Sequence, residues 1–183
     1  MSATATSRPF AEQHALNRRV WEGLAGDPKW NDVLEKVETD RDGNLIMSPP
    51  PRTRHRVRQQ RISTLLNRLL PEGGSFTEGA VSTHQGTKVA DVVWYPGDRA
   101  GKIEDDDVAL PDFPPDLCAG VQSPRDKVAD FEKKVVAYLD ADVREVWLCD
   151  LKGKMSFYSP QGLLARSALC PGFPDEIPAK SLR

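Results

Sequence analysis

The sequence has few of the residues that staple, anchor or export a protein. Its three cysteines, Cys118, Cys149 and Cys170, stand far apart and form no CxxC pair. Neither a disulfide framework nor a zinc site is expected, and a reducing cytoplasm is the simplest home. The three histidines, His14, His55 and His84, also lack metal-ligand spacing. No run reaches the roughly eighteen apolar residues that a membrane-spanning helix needs. Met1 to Pro9 is rich in Ser, Thr and Ala without the apolar core of a secretory signal, and reads as a flexible tail. Charge of one sign is missing too. Lys plus Arg is 25 against 27 for Asp plus Glu, a net of −2, which excludes a histone-like basic chain and a uniformly acidic disordered one. The 183 residues suit one domain, and a chain of that size buries roughly 70% of its unfolded surface.

Apolar spacing supplies the elements. Leu16, Val20 and Leu24 mark a helix over 11–24, stopped by Gly26, Asp27 and Pro28. Strands over 33–38 and 45–47 flank Asp42-Gly43, a dipeptide suited to tight hairpins, and Pro49, Pro50 and Pro51 end that unit. A second helix is expected over 53–70, its face formed by Ile62, Leu65, Leu66 and Leu69. Strands follow over 75–81 and 88–95, then a long loop over 96–115 and a strand over 117–121. Next comes a helix over 126–139 with an apolar stripe of Val128, Phe131, Val135, Tyr138 and Leu139. Strands over 145–149 and 155–158 precede an irregular tail. The domain is expected to occupy 11–160, between tails at 1–10 and 161–183. The order predicts a single α/β or α+β domain, with helices covering a mixed sheet.

The near-neutral total hides two opposed blocks. Arg52, Arg54, Arg56, Arg58 and Arg61 place five positive charges in ten residues, with His55 among them. Arginine forks match phosphate geometry, and a helix starting near Thr53 adds its N-terminal dipole. Arg54, Arg58, Arg61 and Arg68 run as a stripe beside the apolar face. Residues 98–116 hold seven acids and two bases, a local balance of −5.

Two further positions stand out. Asp91 lies in Lys88-Val89-Ala90-Asp91-Val92-Val93-Trp94, where a carboxylate is costly to bury unless it is paired or binds a cation. Of the pair Lys133 and Lys134, helical phase puts Lys134 at the rim of the apolar stripe beside Tyr138, and Lys133 toward solvent.

Taken together, Glu38, His55, Asp91, the segment PDLCAGVQSPRD, Lys134, Tyr138 and VREVWLCD resemble the Uma-two family. That family is counted among the restriction endonucleases of the PD-(D/E)XK nuclease superfamily. The resemblance spans about 33–158. It implies a restriction-endonuclease-like mixed sheet flanked by helices, a Mg²⁺ or Mn²⁺ phosphodiesterase site and DNA as partner. Asp91 maps onto the metal-binding Asp, Lys134 onto the helix lysine and Glu38 onto an N-terminal Glu that would share the ion. Arg54, His55, Arg58 and Arg61 would lie along the DNA backbone. One departure matters: the acidic motif position falls on Gly120 and the third motif position on Gln122. A ligand and a negative charge are therefore missing, and Glu38 is the expected substitute. Asp116, four residues before Gly120, lies about 13 Å away along a regular strand.

The leading expectation is a metal-dependent endonuclease with Asp91, Glu38, Gln122 and Lys134 as catalytic residues, weakened by Gly120. The alternative is a degenerate nuclease fold kept as a nucleic-acid-binding or protein-interaction module. A plain structural domain, in which Asp and Lys merely pair, is a third. Nucleases that cut both strands commonly work as symmetric dimers, so a homodimer is also in view.

Overall fold

The computed structural model describes residues 8–30 and 36–178. Its centre is a six-stranded mixed sheet in the order β3-β4-β5-β6-β7-β8, with a separate two-stranded hairpin β1-β2 against it. The strands are β1 (Lys36–Thr39), β2 (Leu45–Ser48), β3 (Gly73–Thr83), β4 (Gly86–Pro96), β5 (Leu117–Val121), β6 (Glu145–Cys149), β7 (Met155–Ser159) and β8 (Gly162–Leu164). The helices are α1 (Phe10–Ala25), α2 (Thr53–Leu69), α3 (Gly97–Asp106) and α4 (Val128–Leu139). Among the described residues, only β5 and β6 pair in parallel, with α4 as the crossover between them.

Strand alternation divides the core between the two sheet faces. Val92, Trp94, Leu117, Ala119, Val121, Trp147 and Phe157 meet Ile62 and Leu66 of α2. Val93, Tyr95, Cys118 and Val146 meet Val135 and Tyr138 of α4, with Ala100 of α3 beside them. The stripe expected on α4 is thus the face that packs, although the side chain of Val128 lies outside the described residues. All three cysteines are buried and free.

The hairpin turns where expected: Gly43 has φ +87°, and Asp40 Oδ1 accepts from the N–H groups of Asp42 and Asn44. Residues 33–35 of its first expected strand lie outside the described residues. Helix α1 forms, but its buried side chains are Gln13 and Asn17, while Leu16, Val20 and Leu24 stay half-buried. Gln13 donates to Asn17 and to the Arg41 carbonyl, and Asn17 donates to Ser82 Oγ and the Thr83 carbonyl.

Two expectations are corrected. The loop expected over 96–115 contains α3. Acidic density argued for a solvated excursion, but Ala100 and Ile103 give the segment an apolar side that packs on the sheet. The tail expected to be irregular after 160 adds β8 to the sheet edge. Further along, Cys170, Phe173 and Ile177 are buried in the core on the α2 side. Its prolines interrupt regular structure without preventing burial.

Candidate active-site cleft

Asp91 sits where two strands part. The β4-β5 ladder covers Val92 to Trp94 against Leu117 to Ala119 and goes no further toward Asp91. Past the last rung, the Val121 N–H donates to Asp91 Oδ2 at 2.6 Å, so the carboxylate takes the place of a strand partner. Asp91 Oδ1 lies 2.7 Å from Lys36 Nζ and 3.2 Å from His55 Nε2. The His55 ring is held from its other side by Ser123 Oγ, 3.3 Å from Nδ1. Asp91 is 6% exposed. Burial alone pushes its pKa up, but Lys36 and His55 outweigh that, and the net shift is well below the ordinary carboxylate range.

Glu38 arrives from β1. Its Oε1 accepts from Lys134 Nζ at 2.7 Å and from the Val89 N–H at 3.1 Å. Lys134 keeps 40% of its side chain exposed, so its ammonium can also meet a ligand. Asp91, Lys134, His55, Tyr138 and the Gly120 backbone line one cleft of about 500 Å³. Lys133 points to solvent, 78% exposed, as helical phase requires.

Gly120 has no positive φ that would demand glycine. A Cβ built there would lie 3.3 Å from the Phe131 ring and 3.6 Å from Leu148. A Cβ there requires Phe131 to give by a few tenths of an ångström.

Several assigned residues lie elsewhere. Gln122 turns away from the cleft, its Oε1 accepting the Leu151 N–H at 3.2 Å, because it follows the end of β5 and is held by the β6-β7 turn. Arg58 is 3% exposed and donates to the carbonyls of Asp150 and Leu151, at 3.0 and 2.9 Å. It ties α2 to that same turn and is no backbone-facing arginine. Arg61 donates to the Pro178 carbonyl. Arg54 remains exposed on the first turn of α2, while His55 points inward to Asp91. Asp116 is held by Arg99 at 2.6 Å and Arg144 at 3.6 Å, apart from the cleft.

Two residues of the cleft escaped sequence reasoning. Lys36 is two positions before Glu38 on β1, so alternation puts both side chains on one face; that parity was the available signal. Glu78 on β3 lines the cleft and lies 3.5 Å from Lys36 Nζ. Gln59 donates both to Glu78 Oε1 at 2.7 Å and to the Asp91 carbonyl at 3.0 Å, fixing the two strands together. Burial pulls the Lys36 pKa down, but Asp91, Glu78 and Glu38 outweigh it and the net shift is upward.

The family model described as "Putative restriction endonuclease" (Uma2) matches residues 29–166. The chain belongs to the Uma2 family. A similar solved structure is described as "a putative nuclease belonging to DUF820" from Anabaena variabilis ATCC 29413. It is 17% identical, covers 78% of this chain and 87% of its own, and gives a TM-score of 0.63. At that identity the likeness establishes the fold, which is the restriction-endonuclease-like one expected. No curated protein matches the chain.

Restriction-endonuclease-like proteins generally use divalent ions, and the donors of this Uma2 chain fall short of an ion cage. Among the described residues, no group of three or more His, Cys, Asp and Glu side chains is placed to hold a metal. Asp91 Oδ1 faces Lys36 and His55, Glu38 Oε1 faces Lys134, and Gly120 supplies no side-chain donor. The cleft is therefore described through its own side chains.

Proposed function

We propose that this protein binds the phosphodiester backbone of DNA in the Asp91 cleft as an endonuclease of reduced hydrolytic power. What supports this reading is one cleft lined by Asp91, Lys134 and Gly120, with Lys134 Nζ also bonded to Glu38 of β1. Lys134 is placed to contact a phosphate oxygen. His55, held between Ser123 and Asp91, has a fixed ring orientation beside the cleft. Exposed Arg54, with Arg52 and Arg125 at the rim, supplies sequence-independent and salt-sensitive attraction. Mg²⁺ or Mn²⁺ is the ion the family resemblance implies, and a reducing cytoplasm suits three free buried cysteines. Among the described residues no helix is long and apolar enough to cross a membrane. A homodimer would be the assembly for cutting both strands.

The test is nicking of supercoiled plasmid in Mg²⁺ and in Mn²⁺ by the native chain, Asp91→Ala and Gly120→Glu. Native protein should nick slowly and Asp91→Ala not at all. Gly120→Glu should gain about a hundredfold, since a carboxylate touching the ion contributes on the order of a few kcal/mol and each 1.4 kcal/mol is tenfold. Equal nicking by native and Asp91→Ala would remove the cleft from the reaction. A second reading, DNA binding without hydrolysis, is favoured by the 2.7 Å contact of Lys36 with Asp91. Salt-dependent DNA binding with no nicking by native protein would establish it.

A further inference from the structure

Lys36 is the least expected member of the cleft. Its Nζ lies 2.7 Å from Asp91 Oδ1 and 3.5 Å from Glu78 Oε2, so one cationic atom faces carboxylates from two neighbouring strands. Glu78 is held there deliberately. It has φ +54° within β3, an uncommon conformation for a residue with a side chain, and Gln59 pins its other oxygen.

A second observation points into the same place. Tyr138 is 4% exposed and lines the cleft, yet its hydroxyl has no hydrogen-bond partner. Burial chiefly, then Cys118, Glu38, Asp91 and Glu78, raise its pKa, so the phenol stays protonated and able to donate. A buried donor beside carboxylates suits a ligand that brings acceptor oxygens.

We infer that the Lys36 ammonium fills the cation position between Asp91 and Glu78, so that the cleft takes a phosphodiester without a divalent ion and Tyr138 donates to it. A divalent ion would have to displace an ammonium already within hydrogen-bonding distance of Asp91. Mg²⁺ would also need room for the waters it keeps. The inference rests on the reading of the cleft as a phosphodiester site, and the experiment separates the two.

Mn²⁺ binding to the full chain is measured by electron paramagnetic resonance for native protein, Lys36→Met and Lys36→Met/Glu78→Gln. In parallel, binding of a fluorescent DNA duplex is followed by anisotropy in EDTA and in Mg²⁺. Native protein should show no Mn²⁺ site below about millimolar and equal DNA affinity, within about twofold, with and without Mg²⁺. Lys36→Met should gain an Mn²⁺ site at least about tenfold tighter, and the double variant should lose it. Should Lys36→Met fail to fold, Lys36→Gln replaces it, keeping a hydrogen-bond donor without the charge. Native protein binding Mn²⁺ as tightly as the variant, or no gain in either variant, overturns the inference. Absence of DNA binding under all conditions removes the phosphodiester ligand, while the Mn²⁺ arm still decides the place of Lys36.

Discussion

Glu145 and Asp91 are both buried carboxylates on central strands, and they are held in opposite ways. Glu145, 2% exposed, accepts from Trp147 Nε1, Ser167 Oγ and the N–H groups of Ala168 and Leu169, at 2.7–2.8 Å. All those donors are neutral and lie in β6 or the C-terminal segment. Asp91 is held by one backbone N–H together with Lys36 and His55, side chains that also border a cleft. The buried cations repeat the contrast. Arg58 Nη1 donates to neutral carbonyls while its buried Nε has no partner, and Lys36 faces carboxylates. Neutral partners fix a charge in place and leave nothing for a ligand to compete for. Charged partners facing a cleft can be exchanged for a ligand's charges.

The largest effect that would test this contrast is at Glu145. Glu145→Ala strands its donors and should cost about 3–5 kcal/mol in urea unfolding, with DNA affinity per folded molecule unchanged. Next is Arg58→Ala, expected to lose about 2–3 kcal/mol because a charged group's hydrogen bonds to two carbonyls disappear. A shift in the salt dependence of DNA binding by that variant would return Arg58 to the phosphate-facing set. Smallest, and specific to the cleft, is the pH response. Asp91 has a lowered pKa when folded, so its contribution is present above the ordinary carboxylate pKa of about 4 and is lost as pH falls toward its folded value. Lys36 has a raised one, so its contribution is present below the ordinary lysine pKa of about 10.4 and lost as pH rises through its folded value. Urea midpoints between pH 2 and pH 5 should fall less steeply for Asp91→Asn than for native protein. Identical slopes would show that the Asp91 contacts contribute nothing to folding.

Much of this arrangement was legible in the sequence, for identifiable reasons. The apolar stripes of α2 and α4 have a period that propensity and packing both favour, so their faces were correctly anticipated. Asp91 is conspicuous because the residues directly beside it, Val89, Ala90, Val92 and Val93, are all apolar. Glu145 stands out less, since VREVW reads as a strand entry and, Trp147 apart, its partners lie more than twenty residues away. Lys36 was hidden for the same reason, 55 residues before Asp91. The arginine stripe misled because its members share a helix side but not a depth. Arg54 stands on the open first turn, whereas Arg58 passes beneath the β6-β7 turn. Nothing local in Glu78 announces a positive φ.

The hairpin that carries Lys36 and Glu38 has a consequence for the cleft. A two-stranded ribbon is marginally stable by itself, and this one is moored to β4 by Thr39 and Glu38, through the N–H groups of Thr87 and Val89 and the ammonium of Lys88. Its lysine and its glutamate are thus both moorings and site residues. Lifting the ribbon would therefore part Lys36 from Asp91 and Glu38 from Lys134 in a single event. Two charge pairs at the cleft thus depend on one unit of the fold and would be kept or lost together.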